Sequence, residues 1–413
     1  MKKQSRPQPT RSKLSVLRQL CNLIPTHLVA KLARAHGVDE QARSFSPWSH
    51  VVALLYAQLT HALGLNDVCD SLRLHSGPLS ALRGATPPSK NGLSHANKHR
   101  DPALAEALFW QMLEHLKSLC PTFAGGRAGR RLAGRFTRAI HVVDSTTLEL
   151  IASCLDWARH RRRKAAAQCH LRLDLQSFLP RFVLVDTARH ADGFHARTVC
   201  AGLRAGEIVL FDRAYADFAH LYDLGRRGVF WVTRAKESHQ FRVVKKLQPQ
   251  PAGKILRDDL VVLQVPATRA GHPARLRRIS ALVEVDGQEV AMIFLTNNLE
   301  WAARSVVALY KERWQIEVFF KQIKQTLQLA DFLGNSAAAV RWQVWTALLV
   351  YVLLRFAAVR SQWGHSFVRL WAVLRSSLWL RLDLAALLKS YGTAGGDFRM
   401  LGAPQAAYLP GFA

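Results

Sequence analysis

The chain has 413 residues, 49% of them apolar, which excludes general disorder and is enough for two or three domains with full cores. Lysine and arginine number 57 against 29 acidic residues, a formal net charge of +28 at pH 7. Such an excess points to a polyanionic partner, with nucleic acid ahead of a membrane surface.

Residues 1–15 are polar, basic and proline-containing, and read as a mobile arm. "MKKQSRPQPTRSK" leads into an amphipathic stretch and not into the apolar core of a secretory signal. From 14 to about 118 the periodicity is helical, over 14–36, 46–63, 66–75, 92–98 and 102–118. Linkers rich in Gly, Pro and Ser separate these helices, notably "RGATPPSKNG" at 83–92, and "FAGGRAGRRLAGR" at 123–135 reads as a loop or interdomain linker. Three strand-like runs follow at 138–147, 168–175 and 180–188, then a helix at 193–203, a buried strand at 207–212, a helix at 216–226 and a strand at 229–235. Residues 240–297 alternate in four short strands. A helix begins near 302, and 309–327 reads as one amphipathic helix, with further helices at 337–358, 365–379 and 382–390. The apolar run "WQVWTALLVYVLL" between Arg341 and Arg355 has thirteen residues, too few to cross a bilayer, and reads as a core helix. The six cysteines show no CxxC pair and no zinc spacing, so they read as buried free thiols in a reducing cytoplasm.

Two of the apolar runs end in an aspartate: "IHVVD" delivers Asp144 and "IVLFD" delivers Asp212. Carboxylates at strand ends in a sheet flanked by helices face the crevice where ligands collect. Taken singly, each aspartate reads as an N-cap or turn former. In "LYKERWQIEVFFKQIKQTL" (309–327), Tyr310, Arg313, Glu317 and Lys324 fall within a helical sector of roughly 60°. They lie beside the apolar stripe of Leu309, Ile316, Phe320, Ile323 and Leu327. Three carboxylates drawn together repel unless a cation neutralises them, and oxygen-only ligation suits Mg²⁺ or Mn²⁺ but not zinc. There is no P-loop, no GxGxxG after a strand and no GxSxG. His141 and His170 lie in strands and read equally well as core residues.

Tyr310-x2-Arg313-x3-Glu317-x6-Lys324 resembles the YREK signature of the insertion sequence 4 family of DDE transposases. "VVDSTT" around Asp144 and "LFDRAY" around Asp212 look like that family's first and second acidic motifs. The resemblance covers roughly 140–355. It implies an α/β, ribonuclease H-like catalytic domain with a β-rich insertion, preceded by a helical DNA-binding region and followed by a helical C-terminal segment. It further implies that Asp144, Asp212 and Glu317 are catalytic and hold Mg²⁺ (Mn²⁺ possible), while Arg313, Lys324 and Tyr310 contact phosphates at the same cleft. Ser94, Asn97 and Arg100 in "PSKNGLSHANKHR" resemble the family's N-terminal DNA-contacting segment. Lys164 in "ARHRRRKAAAQ" and Arg234 in "VFWVTRAK" could reach phosphate, and Trp231 or Phe241 could stack a flipped base or serve the core. The implied chemistry is hydrolysis of one strand at each transposon end, a hairpin intermediate and transfer to target DNA.

The expected domains are a helical end-binding region at 1–125, a catalytic domain at 136–335 with its insertion at about 237–299, and a helical segment at 336–413. The expected partners are double-stranded DNA, as transposon ends and target, and a second copy of the chain, with no membrane. The expected location is the bacterial cytoplasm, at the nucleoid when DNA-bound. The alternatives are a metal-dependent nuclease without strand transfer and a non-catalytic DNA-binding derivative.

Overall fold

The computed structural model describes residues 9–38, 45–125, 136–150, 154–161, 164–187, 192–248, 253–285, 287–326 and 332–391. The chain forms two compact units, one from residues 1–124, 148–166 and 319–413 and one from 125–147 and 167–318.

The chain opens with helices α1 (Val16–Cys21), α2 (Leu28–Ala35), α3 (Pro47–Thr60), α4 (Leu65–Leu74), α5 (Ser76–Ser80), α6 (Lys90–His99), α7 (Ala103–Leu119) and α8 (Pro121–Gly125). The helix expected over 14–36 is divided between α1 and α2, because Pro25 lies between them and cannot continue a helical hydrogen-bond ladder. Helix starts follow their caps: Ser46 accepts from Ser49 N at 3.0 Å with Pro47 at the first helical position, and Ser89 accepts from Gly92 N at 3.0 Å. Strand β1 (Ile140–Leu150), helix α9 (Leu155–Ala158) and strands β2 (Arg159–Arg161), β3 (Lys164–Asp174) and β4 (Leu179–Thr187) come next. Then follow α10 (Ala196–Cys200), β5 (Ile208–Phe211), α11 (Phe218–Arg226), β6 (Phe230–Arg234), β7 (Phe241–Gln248), β8 (Ile255–Leu263), α12 (Pro266–Gly271), β9 (Leu276–Val285) and β10 (Gln288–Thr296). Helices α13 (Ala303–Lys311), α14 (Gln315–Lys321), α15 (Ala337–Arg360), α16 (Phe367–Ser377) and α17 (Leu384–Ser390) complete it.

In the helical unit, α15 is the central element and packs on α3, α6 and α7. Trp342 packs at a tilt on His50, ring centroids 4.5 Å apart, and donates its indole N–H to Arg100 O at 3.0 Å, while Trp345 meets Phe109 at 5.5 Å. Helices from the N-terminal and C-terminal parts of the chain therefore share one core, although the sequence reading placed them in separate segments. Periodicity marks which face of a helix is buried, not which distant helix covers it. The segment at 9–15, expected as part of a mobile arm, is tied down: Ser12 N donates to Arg381 O at 2.9 Å and Asp383 N to Thr10 O at 2.9 Å. Helix α15 has 24 residues, long enough to cross a membrane, but 89% of its apolar window is buried inside the protein. Arg341 and Arg355 lie within this helix and not at its ends, so it is longer than the thirteen-residue apolar run suggested. None of the six cysteines forms a disulfide, and five of them are buried.

The strands form one mixed sheet. Its order is β2-β3-β1-β5-β6-β10-β9-β8-β7, with β4 also paired to β3. β1, β5 and β6 run parallel, and β10 joins β6 antiparallel through Phe294↔Arg234, Leu295↔Thr233 and Thr296↔Val232. The β-rich insertion is thus a direct extension of the sheet. One face carries α10 and α11 over a core of Val143, Val209, Phe211, Trp231 and Leu295, and α13 packs against β6, β8, β9 and β10. The extension is fastened by Arg277, whose Nε and Nη2 donate to both Asp258 carboxylate oxygens at 2.8 and 2.6 Å, both side chains only 6% exposed. Asp258→Ala is expected to destabilise this unit by about 3–5 kcal/mol, because it leaves a buried guanidinium unpaired. Replacing both partners with apolar residues should cost far less, and urea unfolding of the two variants makes the comparison.

Candidate active site

The parallel pairing of β1 with β5 runs Ile140↔Ile208 to Val143↔Phe211. One step further brings Asp144 level with Asp212 on the neighbouring strand. Val143 and Phe211 point into the core under α10 and α11, so strand alternation turns the two aspartates to the opposite face, where α13 lies. β1 itself continues to Leu150, so Asp144 sits where pairing with β5 stops and not at the strand's end. Asp212 caps the following short 3₁₀ turn (Arg213–Tyr215) without a side-chain hydrogen bond, and its carboxylate is therefore not spent on capping.

The segment 309–327 is not one continuous helix. α13 ends at Lys311, a 3₁₀ turn covers Glu312–Trp314, α14 runs Gln315–Lys321 and a π turn covers Gln322–Thr326. The tighter and looser windings replace the even 3.6-residue spacing that the sequence suggests, and π turns of this kind are frequent at functional sites. The apolar stripe is buried at Leu309, Ile316, Phe320 and Ile323, while Leu327 lies outside the described residues. Tyr310 is buried against Phe294 with ring centroids 5.1 Å apart. Arg313 leaves the 3₁₀ turn to bridge two carboxylates. Its Nη1 donates to Asp144 Oδ2 at 3.0 Å and its Nη2 to Glu317 Oε1 at 2.8 Å.

These groups are electrostatically coupled. Burial pushes the Asp144 carboxyl up to about 6; Asp212 and Glu317 add to the rise, while Ser145 N–H and Arg313 oppose it. Glu317 is also raised, by burial and by Asp212, against the pull of Arg313. Burial works against the charge on Arg313, but Tyr310, Asp144, Asp212 and Glu317 together outweigh it and raise its pKa. Burial lifts Tyr310 to about 12. Among the described residues, no three His, Cys, Asp or Glu side chains lie close enough to hold a metal ion; the cation between Asp144 and Glu317 is the guanidinium. The donor set nevertheless fits a hard divalent ion: two aspartates and a glutamate, all oxygen, two of whose carboxyls are raised by burial and, in lesser part, by mutual repulsion.

Behind Asp212, on the α10 face, lies a buried histidine. His170 Nδ1 is 3.2 Å from the Tyr215 hydroxyl, and burial, with His195 adding, lowers its pKa to about 4. Burial likewise lowers His220 to about 4 and His50 to about 3. All three are held neutral when folded, so the unfolded chain binds more protons between these values and about 6.5, the ordinary histidine range. Their contribution to stability is full above that range and is lost as pH falls towards 4. The carboxyls of Asp144, Glu317 and Glu106, raised by burial, act in the opposite sense, but with His239, His272 and His365 also lowered by burial the histidines outnumber them. Denaturation midpoints should accordingly fall on acidification from pH 7 to 4.5, and His170→Phe should flatten part of that slope.

Arg234, at the end of β6, lies close enough to act on the Tyr310 hydroxyl. Lys324 falls in the π turn and is half-buried in the helical unit. Lys164 opens β3, its side chain outside the described residues along with all of Arg163. Ser94 is exposed on α6 beside Lys90 and Lys98. Asn97 is only 3% exposed and bonds His50 at 2.8 Å, so it faces the core and not a ligand. Arg100 donates to the carbonyls of Phe45 and Ser46 and stacks over the Phe45 ring, a packing role. A step of three residues along α6 turned Ser94 outward and Asn97 inward, which an i, i+3, i+6 count cannot distinguish. Trp231 is fully buried in the sheet core and is no base-stacking residue. Sequence reading passed over Trp314, which is 52% exposed with the Arg313 guanidinium 5.9 Å from its ring. Its place directly after Arg313 was the available signal.

Residues 135–353 match the family described as Transposase DDE domain, and residues 12–82 match a domain of unknown function (DUF4372). "Putative transposase y4zB" of Sinorhizobium fredii is 30% identical over 303 residues, covering 73% of this chain and 80% of that protein. The protein named for insertion sequence element IS5377 of Geobacillus stearothermophilus is 26% identical over 225 residues, 54% of this chain and 57% of its own. "Transposase InsG for insertion sequence element IS4" of Escherichia coli is 23% identical over 197 residues, 46% and 43% of the two chains. A solved piggyBac transposase complex with hairpin DNA superposes with a TM-score of 0.45 at 10% identity, over 90% of this chain and 83% of that one.

Proposed function

This chain belongs to the family of DDE transposases, and on that premise we propose that Asp144, Asp212 and Glu317 are its catalytic carboxylates, carried by a ribonuclease H-like unit. The observation that carries the assignment is the place of Asp144 and Asp212, each one residue past the last paired residues of β1 and β5, with Arg313 linking the first of them to Glu317. The three carboxylates would hold divalent ions, magnesium or alternatively manganese. When bound, these supply the charge that polarises a scissile phosphate and eases loss of the proton from the attacking hydroxyl.

The chain's own residues do the rest. Arg313 keeps Asp144 and Glu317 charged and close until DNA arrives, then turns its fork to a phosphate oxygen pair. Tyr310 and Arg234 flank that phosphate, the first offering a hydroxyl donor and the second a guanidinium. Lys324 supplies a further point charge to the backbone. The exposed edge of α6 with Lys90, Ser94 and Lys98 engages the transposon end in the helical unit. The reaction sequence is hydrolysis of one strand, attack of the freed 3′-hydroxyl on the opposite strand to give a hairpin, hydrolytic opening and joining to target DNA. Each step exchanges one phosphodiester oxygen for another and needs no covalent protein intermediate. Coordinated cutting of two ends calls for two copies of the chain.

The test is cleavage of a labelled duplex ending in the inverted repeat that flanks the gene, with and without Mg²⁺. Metal-dependent nicking at the repeat boundary followed by a hairpin product is expected. Specific binding with no cleavage would overturn the catalytic assignment. Cleavage indifferent to the repeat would replace transposition with plain nuclease activity.

A further inference from the structure

We propose that His95 and His99 form a two-ligand site for a divalent transition-metal ion on the exposed face of α6, a site separate from the carboxylates and independent of the transposase reading. The two histidines are four residues apart on a ten-residue helix, a step that returns to nearly the same line at 3.6 residues per turn. Both are exposed, and their ring centroids are 4.4 Å apart with the planes 33° from parallel. Leu93, Ala96 and Asn97 turn the other side of the helix into the core. Packing on that side holds α6 in place, so the two rings stand on a frame that they do not themselves support.

A neutral imidazole offers a metal one ring nitrogen, at about 2.0–2.1 Å in the case of zinc. Two nitrogens on one ion therefore lie within about 4 Å of each other. Rings already 4.4 Å apart reach that arrangement by rotation about their side-chain bonds, with the backbone unchanged. Among the described residues neither side chain has a hydrogen-bond or ion-pair partner, so no protein group competes for these nitrogens. His170 and His195 come as near, at 4.5 Å, but both are buried, and the Tyr215 hydroxyl engages the first and Asp186 the second. The α6 pair is open to ions from solvent. Histidines at this spacing supply two ligands in the H-E-x-x-H helices of zinc enzymes. Here Ala96 stands where that motif has its glutamate, and among the described residues no third His, Cys, Asp or Glu joins the pair. The site is thus a chelate without a general base, its remaining positions left to water or to an oxygen ligand from solution. Imidazole suits Cu²⁺, Ni²⁺ and Zn²⁺, whereas Mg²⁺ prefers oxygen, so the α6 pair and the carboxylates select different ions.

The probe is Ni²⁺, titrated calorimetrically at neutral pH into the full chain, purified without a histidine tag. Excess Mg²⁺ is present, because it competes at the carboxylates but not at imidazole. Wild type should bind Ni²⁺ at this site, and His95→Asn or His99→Asn should each weaken that binding by about tenfold or more, since even a residue that only supports a ligand is worth about 10- to 100-fold in metal affinity. Adding Asn91→His to His99→Asn places two imidazoles four residues apart again, one turn earlier on the exposed face, and should restore the binding. Copper should bind more tightly than nickel or zinc. Failure of wild type to bind Ni²⁺, or binding unchanged in both single variants, would overturn the inference. Failure of the Asn91→His rescue would assign the loss to the helix itself and overturn the pair as well. Cleavage of the repeat in Mg²⁺ is read separately and bears only on the transposase reading.

Discussion

Glu317→Gln is expected to lower the rate of strand cleavage by about a thousandfold or more, the equivalent of several kcal/mol of lost transition-state stabilisation. The substitution keeps shape and one acceptor oxygen but removes the charge that a divalent ion requires. It should not unfold the protein. Glu317 is one of three like-charged groups, and its carboxyl is already raised by burial and by Asp212, so neutralising it relieves repulsion in the metal-free state. The metal-free melting temperature should therefore equal or exceed that of wild type, while the increase on adding Mg²⁺ should shrink, because ligand stabilisation scales with affinity. Binding to the repeat should persist. A variant that cleaves at more than a tenth of the wild-type rate would remove Glu317 from the catalytic set.

The second large effect is expected from Arg313→Gln, and it should appear in two places. Arg313 is the only cation bonded to Asp144 and Glu317 among the described residues. Without it the metal-free protein should lose about 1–3 kcal/mol, the lower part of the range for a broken buried pair because Glu317 is 37% exposed. The Asp144 carboxyl, already near 6 with the guanidinium beside it, should rise further, so the loss should grow between pH 5 and 7. Mg²⁺ should recover much of the stability but little of the cleavage, since the phosphate contact is gone as well. Denaturation midpoints in chelator and in Mg²⁺, measured beside cleavage rates, separate the two contributions. Equal stability of wild type and variant in chelator would mean that the bridge does not restrain the site.

Both predictions depend on residues that stand out in the linear sequence. Asp212 follows the apolar run IVLF and Asp144 the mostly apolar run IHVV, and the steps from Tyr310 to Arg313, Glu317 and Lys324 were readable without any structure. So was the alternation of strands and helices from 138 to 235. Local burial dictates these patterns: an apolar run needs a core, and a polar residue interrupting its edge needs a purpose. The exposed Trp314 sat in view within the same motif, but exposure is not written in residue type.

What only the tertiary structure decided are the outcomes of contacts between distant segments. Strands 241–296 might have formed a separate body; pairing of Phe294 with Arg234 joins them to the main sheet instead. Asn97 and Ser94 looked alike as polar helix residues until His50, from another helix, claimed one of them for the core. Arg313 was legible as a basic residue near a glutamate, but its bond to Asp144, 169 residues earlier, required the sheet and α13 to be in place. Sequence by itself singled out the residues proposed to carry the chemistry, because their types and spacing stand out locally and resemble a known signature. The fold decided which of them meet, because that depends on packing between segments whose separation in the chain leaves no periodic trace.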